Sequence, residues 1–100
     1  MSVTELRRKK HDRLLDELEH RIRAQYPEDI IHRNYEYNVG DVYGEVDLLR
    51  IRGNVHYFYE VKEGLRIVKA RKQYERYRDT FPQFDVKGIF VSNYGICRRL

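Results

Sequence analysis

Two carboxylates and a lysine, Asp47, Glu60 and Lys62, are the strongest candidates for a reactive centre. They lie on two strand-like runs, EVDLLRIR at 45–52 and VHYFYEVK at 55–62, joined by Gly53-Asn54. Gly followed by Asn suits a two-residue hairpin turn with Gly at the first central position. That turn sets a register in which Ile51 faces His56, Leu49 faces Phe58, Asp47 faces Glu60 and Glu45 faces Lys62. Like charges directly opposite one another destabilise a sheet, so the two acids need compensation. A hard divalent cation supplies it, taking carboxylate oxygens and keeping positions for water and phosphate. Lys62 shares a face with Glu60, because strand side chains repeat every two residues. An acid pair with a lysine beside it suits metal-assisted hydrolysis of a phosphodiester. Glu45 reads as a salt-bridge partner of Lys62.

The residues Gly44-Glu45-Val46-Asp47, followed by Glu60-Val61-Lys62, resemble the signature of the PD-(D/E)XK nuclease superfamily: an acid ending one strand, then acid-x-Lys on the next. Val46 stands where the family name has proline. The resemblance implies a metal-dependent nuclease, with Asp47, Glu60 and the Val61 backbone carbonyl holding Mg²⁺ or Mn²⁺.

Two further positions extend the likeness. Gln73 and Tyr77 sit one turn apart on a predicted helix and share a face. Gln-x-x-x-Tyr after the acid-x-Lys strand resembles the RecB-type branch, where the pair positions the lysine and the DNA strand. The plain alternative makes Tyr77 a core residue and Gln73 a solvated flank. His11 falls on the apolar face of the first predicted helix, with Leu14, Leu15, Leu18 and Ile22. A polar residue there must be satisfied. A backbone hydrogen bond would do this; the RecB-type resemblance instead implies that His11 reaches the metal. Other branches use a glutamate there, and Glu19 lies at the edge of the same face. Arg66, Lys69 and Arg76 flank one edge of the second helix and suit phosphate contacts or ordinary solvation. The basic run Arg7 to Lys10 has the same two readings.

These residues need a scaffold that brings a helix and a hairpin together. Helical spacing predicts a first helix over about 4–25, ended by Pro27. Residues 30–37 read as a strand, followed by the hairpin. Val46, Leu48 and Val61 are placed on one face of that hairpin, and Leu49, Ile51 and Phe58 on the other. A second helix over about 65–80 carries Ile67, Ala70, Tyr74 and Tyr77 on its buried stripe and stops at Phe81-Pro82. Residues 86–92 form a last strand. A helix connecting two strands usually makes them parallel neighbours. The expected fold is α/β, a restriction-endonuclease-like core of order αβββαβ, with a central mixed four-stranded sheet flanked by helices. It occupies residues 1–100 as a single domain.

Composition agrees with a polyanionic partner. Lys and Arg number 20 against 16 Asp and Glu, for a net charge of +4. Fourteen of the cations are arginines, whose planar fork matches phosphate oxygens. Cys97 is the lone cysteine, which excludes an internal disulfide and suits a reducing compartment. The N-terminal residues are charged and lack the apolar core of a secretory signal. No apolar run approaches the ~20 residues of a membrane span. A cytoplasmic protein is therefore expected.

Together these readings give a metal-dependent deoxyribonuclease acting on DNA, with single-stranded, flap or end substrates favoured by Gln73 and Tyr77. Two alternatives stay open: a junction-resolvase-like endonuclease working as a homodimer, and a non-catalytic nucleic-acid-binding module. A helicase or other accessory subunit is a further conceivable partner.

Overall fold

The first helix, α1 (Val3–Gln25), starts where the Ser2 side chain accepts the Glu5 amide at 3.1 Å. That bond satisfies one of the helix's orphan N–H groups. Leu15, Leu18 and Ile22 recur at helical spacing and are buried. Three strands follow: β1 (Ile30–Val39), β2 (Val42–Arg52) and β3 (Val55–Lys62). Helix α2 (Ile67–Thr80) leads to β4 (Asp85–Ser92) and a short β5 (Cys97–Arg99). The computed structural model describes residues 2–62, 64, 66–93 and 97–100. Leu65, the expected first residue of α2, and Tyr94-Gly95 lie outside them.

The strands line up in the order β1-β2-β3-β4-β5. Only β3 and β4 are parallel, as expected for strands joined through a helix; the other neighbours are antiparallel. The result is an α/β domain with a five-stranded mixed sheet and two helices. The expected count of four strands is thus corrected. β5 escaped notice because its three residues are exposed and two are arginines, so it shows no apolar alternation.

Gly53 has φ +58 and Asn54 does not share it, the pattern a glycine-first hairpin turn requires. The register follows: Ile51 pairs with His56 and Leu49 with Phe58. Gly40, at φ +59, begins the corresponding turn between β1 and β2.

Two cores result, one under each helix. Leu15, Leu18 and Ile22 of α1 pack with Leu48, Tyr59 and Val61. Tyr77 of α2 packs with Tyr37, Val46, Leu49 and Phe58. Val46 therefore lies on the opposite layer from Leu48, against expectation, although residues two apart on a strand normally share a face. On β1, Ile31 packs beside α1 while Tyr35 packs beside α2. Both strands change layer at the same level. Asn34 there adopts a left-handed φ of 51, and it lies between the pairs Arg33–Leu48 and Tyr35–Val46, across from Asp47.

Arg50 is 3% exposed, an unusual place for a guanidinium. It lies 3.6 Å from the Tyr26 ring centroid and 3.7 Å from that of Tyr57. Its Nη1 donates to Asp29 at 2.7 Å and its Nε to the Tyr59 hydroxyl at 3.2 Å. Arg52 also donates to Asp29. No helix among the described residues is long and apolar enough to cross a membrane.

Candidate active site

The β2–β3 ladder ends at the pair Leu48–Tyr59. One residue further, the Asp47 carboxylate accepts the Val61 amide at 2.8 Å, in place of a strand carbonyl. Asp47 and Glu60 are therefore not a ladder pair, and the direct apposition expected from the turn is corrected. The expected Glu45–Lys62 pair is also replaced. Glu45 stands across from Glu36 in β1, while Lys62 Nζ lies 3.4 Å from Glu60 Oε2.

His11 reaches this point from α1. Its Nε2 lies 3.0 Å from the Val61 carbonyl oxygen and 3.4 Å from Asp47 Oδ2. A carbonyl oxygen only accepts, so Nε2 carries the proton it donates. The hydrogen bond to Asp47 raises the His11 pKa, against the opposing effect of burial. Both readings of His11 are thus represented: it has a backbone partner, and it meets the acid at the strand end. Glu19 is engaged elsewhere, by Arg23 at 2.8 Å and Arg33 at 3.3 Å.

Glu60 is the anomaly. It is 1% exposed, and neither carboxylate oxygen has a hydrogen-bond partner among the described residues. Lys62 is close enough for an ion pair but lacks hydrogen-bond geometry. Burial, reinforced by the Asp47 charge, pushes the Glu60 pKa up to about 8, with Lys62 opposing. A buried carboxylate without hydrogen bonds is costly, and natural structures rarely keep one without purpose.

The site thus has two parts. His11, Asp47 and the Val61 carbonyl converge, and Glu60 with Lys62 lies beside them. Among the described residues no three His, Cys, Asp or Glu side chains gather as a ready-made metal cage.

On helix α2, Tyr77 is engaged away from this centre. The Tyr77 hydroxyl bonds His56 Nδ1 at 2.8 Å, and Tyr77 is 1% exposed. Burial lowers the His56 pKa and raises that of Tyr77, so both are neutral and the pair is a polar link within the core. Gln73, one turn earlier, keeps a buried Oε1 with no partner among the described residues. Arg66, Lys69 and Arg76 are exposed along one edge of the helix.

Ser92 and Asn93 were not singled out by sequence. Ser92 pairs across from Lys62 and donates to the Gly64 carbonyl at 2.7 Å. Asn93 accepts the Gly64 amide at 2.8 Å. Together they pin the chain just beyond Lys62. A Ser-Asn pair ending a strand hints at such turn chemistry, though not at its target.

No protein-family model matches the chain, and no curated protein or solved structure matches it significantly.

Proposed function

We propose that the protein is a divalent-metal-dependent nuclease that hydrolyses DNA phosphodiesters on a restriction-endonuclease-like core. The observation that carries this reading is Glu60: a buried carboxyl group whose oxygens make no hydrogen bond among the described residues, with the Lys62 ion pair and the charge of Asp47 beside it. A divalent cation would displace its proton and supply the coordination that Lys62 alone does not. The donors at hand are carboxylate, carbonyl and imidazole, and Mg²⁺ is commonly held by one or two carboxylates with water completing the shell.

Asp47, Glu60 and the Val61 carbonyl would hold the ion, with His11 contributing once Nε2 gives up its proton. The ion supplies Lewis acidity, lowering the pKa of water and polarising phosphate. Lys62 donates to the phosphate as charge develops on its oxygens. Ser92 and Asn93 fix the backbone that carries Lys62. Gln73 is the α2 residue with an acceptor free to orient a neighbour. The second reading, a non-catalytic binding module, draws on Asp47 already being satisfied by Val61 and His11.

End-labelled single-stranded, duplex and branched DNA, incubated with Mg²⁺, Mn²⁺ or EDTA, tests the proposal. Cleavage with metal and none in EDTA is expected. Metal should also raise the melting temperature, by about 2.7 kcal/mol of stability at 100 times Kd, because only the folded chain presents the site. Absence of both effects would refute the nuclease.

Tyr77→Phe separates two roles for that hydroxyl. The His56 contact predicts a loss of about 1–3 kcal/mol, the cost of an unsatisfied buried group. Cleavage per folded molecule should be unchanged. Lost cleavage at unchanged stability, measured by urea unfolding alongside the assay, would instead assign Tyr77 to Lys62 or substrate.

A further inference from the structure

Helix α1 packs chiefly on β2 and β3 and leaves the β4–β5 side of the same sheet face open. A groove of about 520 Å³ runs there. Tyr57, Tyr59, Ile89 and Val91 form its apolar floor. Arg21 of α1 stands on one rim and Arg99 of β5, paired with Ile89, on the other; Arg98, paired with Phe90, alternates to the opposite face. Among the described residues no Asp or Glu lines the groove, and neither Arg21 nor Arg99 has an ion-pair partner. Arg50, at the inner end, is already neutralised by Asp29.

We propose that this groove is a second, non-catalytic binding site for single-stranded nucleic acid. The rims call for anions, and arginine forks match phosphate. Cations on opposite rims suit a polyanion that runs between them better than one isolated phosphate. Tyr57 is the half-buried ring of the floor, with Arg50 against one of its faces, whereas Tyr59 is buried under α1; unpaired bases stack on such an aromatic side chain whatever their sequence. A duplex keeps its bases stacked inside and cannot use such a floor. A smaller depression shares Arg21, Val91 and Ser92 with it and reaches Glu17 and Asn93. Ser92 pairs with Lys62 on the adjacent strand, but strand alternation turns the Glu60 and Lys62 side chains to the α2 face, away from Tyr59 and Val91 of the groove. The groove is therefore separate from the candidate active site, and binding there does not rest on the nuclease reading.

The test uses the full chain in EDTA, so that binding is read without cleavage. Fluorescence anisotropy compares labelled oligothymidylate, oligouridylate and a blunt duplex, for wild type and the double variant Arg21→Ala/Arg99→Ala. Both substitutions are at exposed positions, and circular dichroism checks the fold. Single strands should bind more tightly than duplex, and the DNA and RNA arms show which sugar is preferred. The double variant should bind at least tenfold more weakly. Its salt slope should fall by about 1.4, from ~0.7 per lost phosphate contact on a single strand. Cys97, the sole cysteine, is exposed and lines the groove, so a photo-crosslinker attached there should capture the oligonucleotide. Unchanged binding by the double variant, equal affinity for duplex, or no cross-link from Cys97 would each overturn the proposal. So would sedimentation showing the groove closed by a second copy of the chain. Wild type that binds through the groove but cleaves nothing would keep this site and refute the nuclease. Cleavage with unchanged binding by the double variant would do the reverse.

Discussion

Glu60→Gln is expected to abolish metal-dependent cleavage and, in EDTA at alkaline pH, to raise the melting temperature. The loss of activity should be on the order of 10³-fold, the scale reached when one preorganised electrostatic group is removed. The gain in stability follows from the raised pKa. Glu60 moves from an ordinary value of 4.5 to about 8 on folding, chiefly through burial. Between those values the folded chain binds more protons than the unfolded one, so stability falls as pH rises. The penalty is absent below about 4.5 and complete above about 8. Glutamine carries no charge to desolvate, so the variant should lose this slope. Melting curves from pH 5 to 9 in EDTA, with cleavage measured in parallel, check both halves. A variant less stable than wild type at pH 9 would show that Lys62 already compensates the buried charge. Function and stability would then not be opposed at this position.

Arg50→Ala should produce the largest loss of stability without touching the candidate site. It removes the charge between the Tyr26 and Tyr57 rings and leaves the Asp29 carboxylate with Arg52. Because Asp29 keeps Arg52, the loss comes from two hydrogen bonds of a charged donor and two ring contacts, about 3–5 kcal/mol together. For a domain of this size that lowers the melting temperature by on the order of 20 °C. Arg50→Lys should recover little, because an ammonium lacks the flat surface and the fork. The pH dependence changes as well. Arg50 is the main cause of the lowered Asp29 pKa, so this pair's contribution is present above the ordinary value of 3.8 and lost as pH falls through the lowered one. The alanine variant should show a weaker acid limb in urea titrations. A loss below about 1 kcal/mol would mean that burying the guanidinium costs nearly what its contacts return.

The sequence announced some of this and concealed the rest, for identifiable reasons. The Gly53-Asn54 turn is a local signal, and it placed Leu49 against Phe58 correctly. It could not announce where the ladder stops, because that depends on a side chain: the Asp47 carboxylate takes the Val61 amide. The layer change of Val46 was hidden likewise, since period-two reasoning assumes unbroken extended backbone and Asn34 breaks it. His11 was legible as a polar residue on an apolar face, a conflict the fold had to resolve. The partner of Tyr77 was not, because His56 is far from it in sequence and only packing brings the rings together. The arginine-rimmed groove needs β5, which carries no periodic signal.

The change of layer at Asn34 and Asp47 also bears on how the molecule comes apart. The β1–β2 ribbon contributes Ile31 and Leu48 to one core, and Tyr35, Tyr37 and Val46 to the other. A single ladder joins those residues, with one register from Ile30–Ile51 to Val39–Val42. The ribbon acts as a rivet through both sides of the sheet. Peeling away either helix strips apolar cover from strands that the other helix also holds. The two halves therefore form one cooperative unit, and their amide protons should exchange through a shared opening rather than in separate stages.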